Sequence, residues 1–202
     1  MALVKHNNNS ISAVTSMASL TTGAMTLISE QTASSSASVS FTTGINSTYP
    51  IYRFEIINMN PATTNAIFEF QGNTSGGSGF NETITSTSFR AFHREDDSST
   101  NLLYLINDDQ AQGTDYQHLA NGVGNGSDES LCLELFLFNP SSTTFVKHFM
   151  ARCIFYEDAN MPVDHYTAGY FNTTSAIDEI AFKMSSGNID SGTFKLFGIR
   201  DS

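Results

Sequence analysis

The chain has 202 residues, of which 40% are hydrophobic, including 16 Phe and 7 Tyr, so it can bury the core of one all-β domain. Only nine Lys and Arg accompany 20 Asp and Glu, and the cations form no cluster, which excludes a surface that tracks nucleic-acid phosphates. No apolar run of about 18 residues occurs, so the sequence predicts no membrane insertion.

The first 23 residues contain no Phe, Tyr or Trp and are mostly small or polar. We predict an N-terminal arm over residues 1–23 and a β-sandwich domain over residues 24–202. The arm is either a flexible leader or a segment that orders when it docks on a neighbouring subunit. Its opening, MALVKHNNNS, has no apolar h-region, so no signal peptide is predicted. The predicted contacts to a subunit or particle are apolar residues of the arm, four of them spaced every three residues: Leu3, Val4, Ile11, Val14, Met17 and Leu20.

After residue 24, short segments with strand-like apolar patterning alternate with turns rich in Gly, Asn, Pro and Ser. This pattern predicts an all-β, jelly-roll-like β-sandwich of about ten strands, with no helix of ordinary length in the body. The predicted strands lie near Met25–Gln31, Ala37–Thr42, Ile51–Asn58, Ala66–Gln71, Glu82–His93, Leu102–Ile106, Leu131–Asn139, Thr144–Glu157, His165–Asn172, Glu179–Met184 and Thr193–Arg200.

The stretch Leu131–Glu157 predicts a β-hairpin, because apolar residues recur at every second position on both sides of an Asn-Pro-Ser-Ser-Thr turn. Large apolar groups on both faces indicate a hairpin enclosed between two covered surfaces, with Phe136, Phe138, Phe149 and Phe155 buried. Cys132 and Cys153 fall on adjacent strands of this hairpin. Two buried thiols and one disulfide both remain open.

The stretch Asn107–Ser130 is predicted to be the longest irregular segment, a length that indicates a functional or loosely ordered loop. Calcium is an open alternative, because four aspartates could supply oxygen ligands, but the spacing of an EF-hand loop is missing. We predict no metal and no cofactor. The four aspartates are Asp96, Asp97, Asp108 and Asp109.

No catalytic residue is predicted. The chain has no Gly-X-Ser-X-Gly elbow, and its five histidines are scattered. The charged group His93–Asp97 is interpreted as a solvated loop, since paired carboxylates act as acid and base only when a cleft holds them together. The histidines are His6, His93, His118, His148 and His165.

Five stretches resemble a family of small structural proteins from tailed phages of marine bacteria: Glu95–Thr100, Asp109–Thr114, Phe138–Phe149, Ala168–Thr174 and Ser175–Ile199. The resemblance covers roughly Met25 to Ile199 and is most specific in the C-terminal third. The opening MALVKHNNNS also resembles the leaders of such proteins. Members of the family are fibre-like or uncharacterised virion components without enzymatic motifs, so the resemblance carries over no site residue.

The resemblance implies a location on a phage particle, assembled in the host cytoplasm, where thiols stay reduced. The leading hypothesis is a homotrimeric head decoration or appendage protein that contacts other virion proteins of the capsid or tail. The alternative is a tail-fibre or receptor-binding module that recognises a host surface glycan through Tyr- and Asn-lined loops. A third hypothesis, a glycan-cleaving enzyme, requires a cleft with convergent carboxylates.

Overall fold

The computed structural model describes residues 24–200, which form thirteen antiparallel β-strands and no helix. The strands are Met25–Ser36 (β1), Ser38–Phe41 (β2), Ile51–Pro61 (β3), Ala66–Thr74 (β4), Ile84–His93 (β5), Thr100–Tyr104 (β6), Ala111–Gly113 (β7), Gln117–Val123 (β8), Leu131–Phe138 (β9), Lys147–Glu157 (β10), Met161–Phe171 (β11), Ile177–Met184 (β12) and Ile189–Ile199 (β13). Since no helix occurs in this range, none there is long and apolar enough to cross a membrane.

Two layers make a nearly closed, barrel-like sandwich. The larger sheet has the order β1-β13-β3-β9-β10-β11-β5, with β6 and β7 both paired to β5, and the smaller sheet has the order β8-β4-β12-β2. The layers join at one side through a single residue pair, Glu157 and Val123, and at the other where the chain runs from β1 into β2. The predicted all-β, jelly-roll-like sandwich is confirmed, with thirteen strands where about ten were predicted.

An aromatic cluster fills the space between the layers. Phe182 on β12 lies at its centre, with five phenylalanine rings at centroid distances of 5.6 to 6.5 Å, and all six residues are at most 2% exposed. Close-packed rings of this kind bury the largest apolar areas available to side chains and so dominate the core energetics. The five neighbours come from both sheets: Phe41, Phe54, Phe68, Phe70 and Phe194.

The β9–β10 hairpin forms as predicted, but only one of its faces is enclosed. Phe149 and Phe155 are buried, whereas Phe136 and Phe138 point to the opposite face and are half-buried, so their predicted burial is wrong. Cys132 opposes Ile154 and is exposed, while Cys153 is buried. Cys132 therefore points to the outer side of the hairpin and Cys153 to the core, so the two thiols cannot form a disulfide. The alternative of two buried thiols is wrong as well, because only Cys153 is buried.

Lys147 interrupts the apolar alternation of β10 because it closes one end of the core. Its side chain is fully buried, and its ammonium group donates to the backbone oxygens of Phe145 (2.7 Å) and Thr173 (3.2 Å). Burial lowers the pKa of Lys147, because the ammonium group loses contact with water and no carboxylate among the described residues hydrogen-bonds to it.

We expect the apolar stem of Lys147 to matter more than its charge. Lys147→Ala should lower the free energy of unfolding by about 2–4 kcal/mol, as for other large-to-small core truncations, because it removes the stem. Lys147→Met keeps the stem and loses only the two hydrogen bonds, so it should cost about 1–2 kcal/mol. Urea unfolding of both variants measures the difference. Equal losses would show that the ammonium group, not the stem, supports this end of the sandwich.

The predicted irregular segment Asn107–Ser130 contains two strands, β7 and β8, so that prediction is wrong. Strand β8 pairs with β4 through five residues and places Gln117, Leu119 and Ala120 in the interior. Its sequence, QHLANGV, contains an Asn and a Gly, which disfavour strands. The predicted arm and its six contact residues, Leu3 to Leu20, lie outside the described residues.

A candidate interaction surface on the large sheet

The large sheet turns one face away from the core, across the seven strands β5, β11, β10, β9, β3, β13 and β1. We call this the outer face. The pairing register places one unbroken row of outward side chains across all seven strands. The row is Thr87, Ala168, Met150, Phe136, Arg53, Phe197 and Leu27.

Several large apolar side chains on the outer face are open to solvent. Leu27, Phe89, Met150 and Ile154 are 41% to 51% exposed. A shallow depression of about 300 Å³ lies between Phe89, Phe136, Met150 and Tyr166, over the small side chain of Ala168. Contiguous apolar surface of this kind on a folded protein marks a site of interaction with another molecule.

The neighbouring row of the outer face is polar, but its charges are paired within the sheet. The guanidinium group of Arg152 donates two hydrogen bonds to Asp164 (2.9 and 2.8 Å), which lowers the pKa of that carboxyl group. Arg152 also lies over the ring of Tyr166 at 5.3 Å, and Tyr166 stacks on Phe89 with 4.9 Å between ring centroids. Arg53 pairs with Glu134 at 3.1 Å. A molecule that binds the outer face would therefore cover charges that are already paired within the sheet.

The outer face is much closer to electrical neutrality than the rest of the chain. It carries three cations and five anions, a net charge of −2, whereas the other six cations and fifteen anions give −9. These eight charged residues are Arg53, Arg152, Lys195, Glu30, Glu55, Glu134, Asp164 and Asp190. A second acidic molecule can approach this face with less repulsion than the net charge of the whole chain would cause.

The edge of the outer face is also where the polypeptide enters the sandwich. Met25 is 43% exposed on the edge strand β1, and its sulfur atom lies 3.8 Å from the guanidinium group of Arg53. The other edge of β1 has no paired strand among residues 24–200. Unpaired strand edges are available for backbone pairing with another chain.

The acidic residues considered for calcium are not brought together. Asp96 accepts hydrogen bonds from Ser98, Asp97 pairs with His93 at the surface, and Asp108 is buried elsewhere. Within residues 24–200, no three Asp, Glu, His or Cys side chains form a group that could hold a metal ion. Their separate partners explain why closeness in sequence did not produce a site.

His6 lies outside the described residues. Of the four histidines that the structure describes, two lie near a polar region beneath the segment Leu105–Asp108. Asp108 is 3% exposed and accepts hydrogen bonds from His118 Nδ1 (3.0 Å) and Asn121 (2.9 Å). This bond raises the pKa of His118; burial alone would raise the pKa of Asp108, but the two donors lower it. Among residues 24–200, no Ser, Thr or Cys side chain hydrogen-bonds to an imidazole, so the pair Asp108 and His118 has no nucleophile beside it.

His165 is the second of these histidines, and no sequence pattern indicated its environment. It is 1% exposed on β11, between Cys153 and Arg90 on the neighbouring strands. Neither ring nitrogen has a hydrogen-bond partner among the described residues. Burial lowers its pKa to about 4, so the imidazole is neutral at pH 7.

No family model, curated protein or solved structure matches this chain. Its function is therefore inferred from the outer face and from the distribution of charge around that face.

Proposed function

We propose that this protein is a non-enzymatic structural component of a tailed-phage virion, an exterior head decoration or appendage protein anchored by its arm, residues 1–23. The observation that carries the proposal is the exposed apolar outer face, which serves adhesion and not chemistry. The resemblance of the chain to phage structural proteins supports the location. Assembly with other virion proteins, of the capsid or the tail, takes place in the host cytoplasm.

The outer face is also the surface through which copies associate, in our proposal as a homotrimer. Identical chains with a net charge of −11 repel one another, and the repulsion is reduced at a face whose own charge is −2. Apolar side chains around the depression of Phe89, Met150 and Tyr166 supply the attraction. In a closed ring of three, one part of the outer face of each copy contacts a different part of the outer face of its neighbour.

Met150→Glu should dissociate the oligomer, because it places an unpaired carboxylate at the centre of the face that association would bury. We expect the dissociation constant to rise by about 30-fold or more, as for the loss of a central interface residue. Light scattering over a range of concentrations measures the mass. Phe145→Glu is the matched control, since Phe145 is 68% exposed in the β9–β10 turn and lies off the face. A wild-type monomer at every concentration, in the absence of particles, would contradict self-association in solution.

Deletion of residues 1–23 should separate folding from attachment. All thirteen described strands and the core between them lie within residues 24–200, so thermal unfolding of the truncated protein should stay near that of the full chain. Incorporation into particles should be lost, because the apolar residues from Leu3 to Leu20 provide the anchor. The two assays are run on the same preparation. Normal incorporation of the truncated protein would place attachment on the outer face or on the edge of β1 instead.

A second candidate function is a receptor-binding module that recognises a host surface glycan. The specific observation in its favour is a polar cleft lined by Arg90, Asp108, Asn121 and Glu157. The number of copies per particle distinguishes the two functions, because a decoration protein is present in numbers comparable to the capsid protein and a tail-fibre module is far rarer.

A further inference from the structure

A cleft of about 290 Å³ opens between β5, the end of β10, β8 and the segment Leu103–Asp108. This volume is near the lower end of the range of about 300–1,000 Å³ typical of small-molecule sites, so it suits a single small ring. The polar side chains that line it are Arg90, Asp108, Asn121, Glu157 and Asn65, and the leucine-rich strand end Leu103–Ile106 supplies the apolar wall.

The charged groups of the cleft are buried and mutually compensated. Arg90 pairs with Glu157 at 3.1 Å, and Asp108 pairs with His118 at 3.0 Å. Asp108 and Glu157 are 3% and 8% exposed. A buried charge is tolerated when it is paired and hydrogen-bonded, so the cleft has no strong net field to select an ion of either sign.

The same groups retain unused hydrogen-bonding capacity. Nε of Arg90 is buried without a partner among residues 24–200. Asp108 and Glu157 each use one carboxylate oxygen, Oδ1 and Oε1, for the side-chain bonds described, which leaves the second oxygen able to accept. The amide of Asn65, on an exposed turn, offers both a donor and an acceptor. Donors and acceptors therefore surround one small volume.

A ligand that matches this site is neutral, carries several hydroxyl groups and has one apolar face. Each hydroxyl group both donates and accepts, so it can bond a carboxylate oxygen and a guanidinium N–H in turn. A divalent cation fits poorly, because Arg90 and His118 place positive charge beside both carboxylates. A carboxylated or phosphorylated ligand would meet two buried carboxylates.

We propose that this cleft binds one neutral sugar unit of a glycan, an inference that rests on the receptor function given above as the second candidate. Arg90, Asp108, Asn65 and Glu157 bond the hydroxyl groups, and Leu103 and Leu105 face the apolar side of the ring. Asn121 acts as a positioning residue, since its amide holds Asp108 at 2.9 Å.

The test is titration of the full chain with free glucose, galactose and mannose, followed by the NMR signals of the Asn and Gln side-chain amides and of the Arg90 Nε–H. At least one of these neutral hexoses should bind at millimolar concentration and shift the signals of Asn65, Asn121 and Arg90. Galacturonate should bind at least about tenfold more weakly, because its carboxylate faces Asp108 and Glu157.

Three variants assign the binding to the cleft. Glu157→Gln should weaken binding about tenfold, because it replaces a carboxylate acceptor with an amide. Asn65→Gly removes an exposed side chain at a positive φ of 58°, where glycine is unstrained, and should weaken binding severalfold. Asn139→Gly makes the same change at a φ of 44° in the β9–β10 turn and should leave binding unchanged.

The outcomes separate the site from the function. Hexose binding that persists in Asn65→Gly and Glu157→Gln would overturn the cleft as the site and leave the receptor function standing. Failure of every free hexose, together with failure of the protein to adhere to polysaccharide from host cells, would overturn both. If Glu157→Gln loses binding, an unchanged amide spectrum of the variant shows that the cleft is still folded. Weaker binding by Asn65→Gly then assigns the ligand to the cleft independently.

Discussion

Truncation of Phe182 to alanine should lower the free energy of unfolding by about 3–5 kcal/mol, the largest effect we expect from a single substitution. Phe182 is fully buried, and its ring is within 6.5 Å, centroid to centroid, of five other phenylalanine rings contributed by both sheets. Its removal leaves a cavity between the layers that rigid neighbouring strands cannot close. Equilibrium unfolding in urea measures the loss.

Phe136→Ala is the matched control, because Phe136 lies on the outer face and is only half-buried. Its truncation should cost about 1 kcal/mol or less in a monomeric preparation, as for substitutions outside the core. The comparison also tests the orientation of the β9–β10 hairpin. If Phe136→Ala were as destabilising as Phe182→Ala, a second layer would have to cover the outer face within one molecule.

Acid should destabilise the protein through His165 between pH 6.5 and pH 4. The pKa of this buried imidazole is about 4, against 6.5 for an exposed histidine, so the unfolded chain binds a proton in this range and the folded chain does not. Stability is therefore fully present above pH 6.5 and falls as the pH falls through the window. A shift of this size corresponds to about 3 kcal/mol.

Two neighbouring groups act in other pH windows, so the contribution of His165 can be isolated. The raised pKa of His118 gives stability that is present below 6.5 and is lost as the pH rises through the folded-state pKa. The lowered pKa of Asp108 gives stability that is lost only as the pH falls below 3.8. Burial also raises the pKa of Glu157, which pairs with Arg90 beside His165, so Glu157 gives stability that is lost as the pH rises, opposite in sign to His165. Comparison of a His165 variant with the wild type at two pH values isolates the contribution of His165.

His165→Leu should remove about 2 kcal/mol of the difference in unfolding free energy between pH 7 and pH 4.5, most of the full effect of the pKa shift. At pH 7 the variant should be at least as stable as the wild type, because the neutral imidazole has no hydrogen-bond partner to lose. Urea unfolding at both pH values gives the four free energies required. An unchanged difference between the two pH values would show that the imidazole is solvated in the folded protein.

The strands could be predicted from the sequence wherever the apolar residues at alternate positions are also the buried residues. In β9 and β10 the leucines and phenylalanines of alternate positions face the core, and the segment is recognisable as a hairpin. The error on Phe136 and Phe138 has a physical cause. Apolar residues on both faces indicate two covered surfaces, but the second surface here is exposed within the described chain, and a partner molecule would have to cover it.

Strand β8 could not be predicted, because its partners in the interior are polar. Gln117 is fully buried, donates to the backbone oxygen of Asp108 at 2.6 Å and accepts from Ser86 at 2.5 Å. A strand that faces such groups lacks the apolar alternation on which sequence analysis depends. The polar cleft could not be predicted either, since Arg90, Asp108 and Glu157 are far apart in sequence and meet only through strand pairing.

The outer face could not be predicted from the sequence either, because it depends on how the strands are aligned. Its residues are ordinary for exposed strands when taken one strand at a time, and only the register aligns Met150, Phe136 and Leu27 in one row. The predicted contacts of the arm, from Leu3 to Leu20, depend on a partner. They are predicted from the sequence pattern alone, in which four apolar residues recur every three positions.

The measurement that tests the central claim most directly is an image reconstruction of the intact virion at a resolution that places individual strands. We predict many copies of the sandwich on the exterior of the head, in numbers comparable to the capsid protein, with the row from Thr87 to Leu27 buried between copies. Few copies at the tail, or copies whose outer face is open to solvent, would contradict the account.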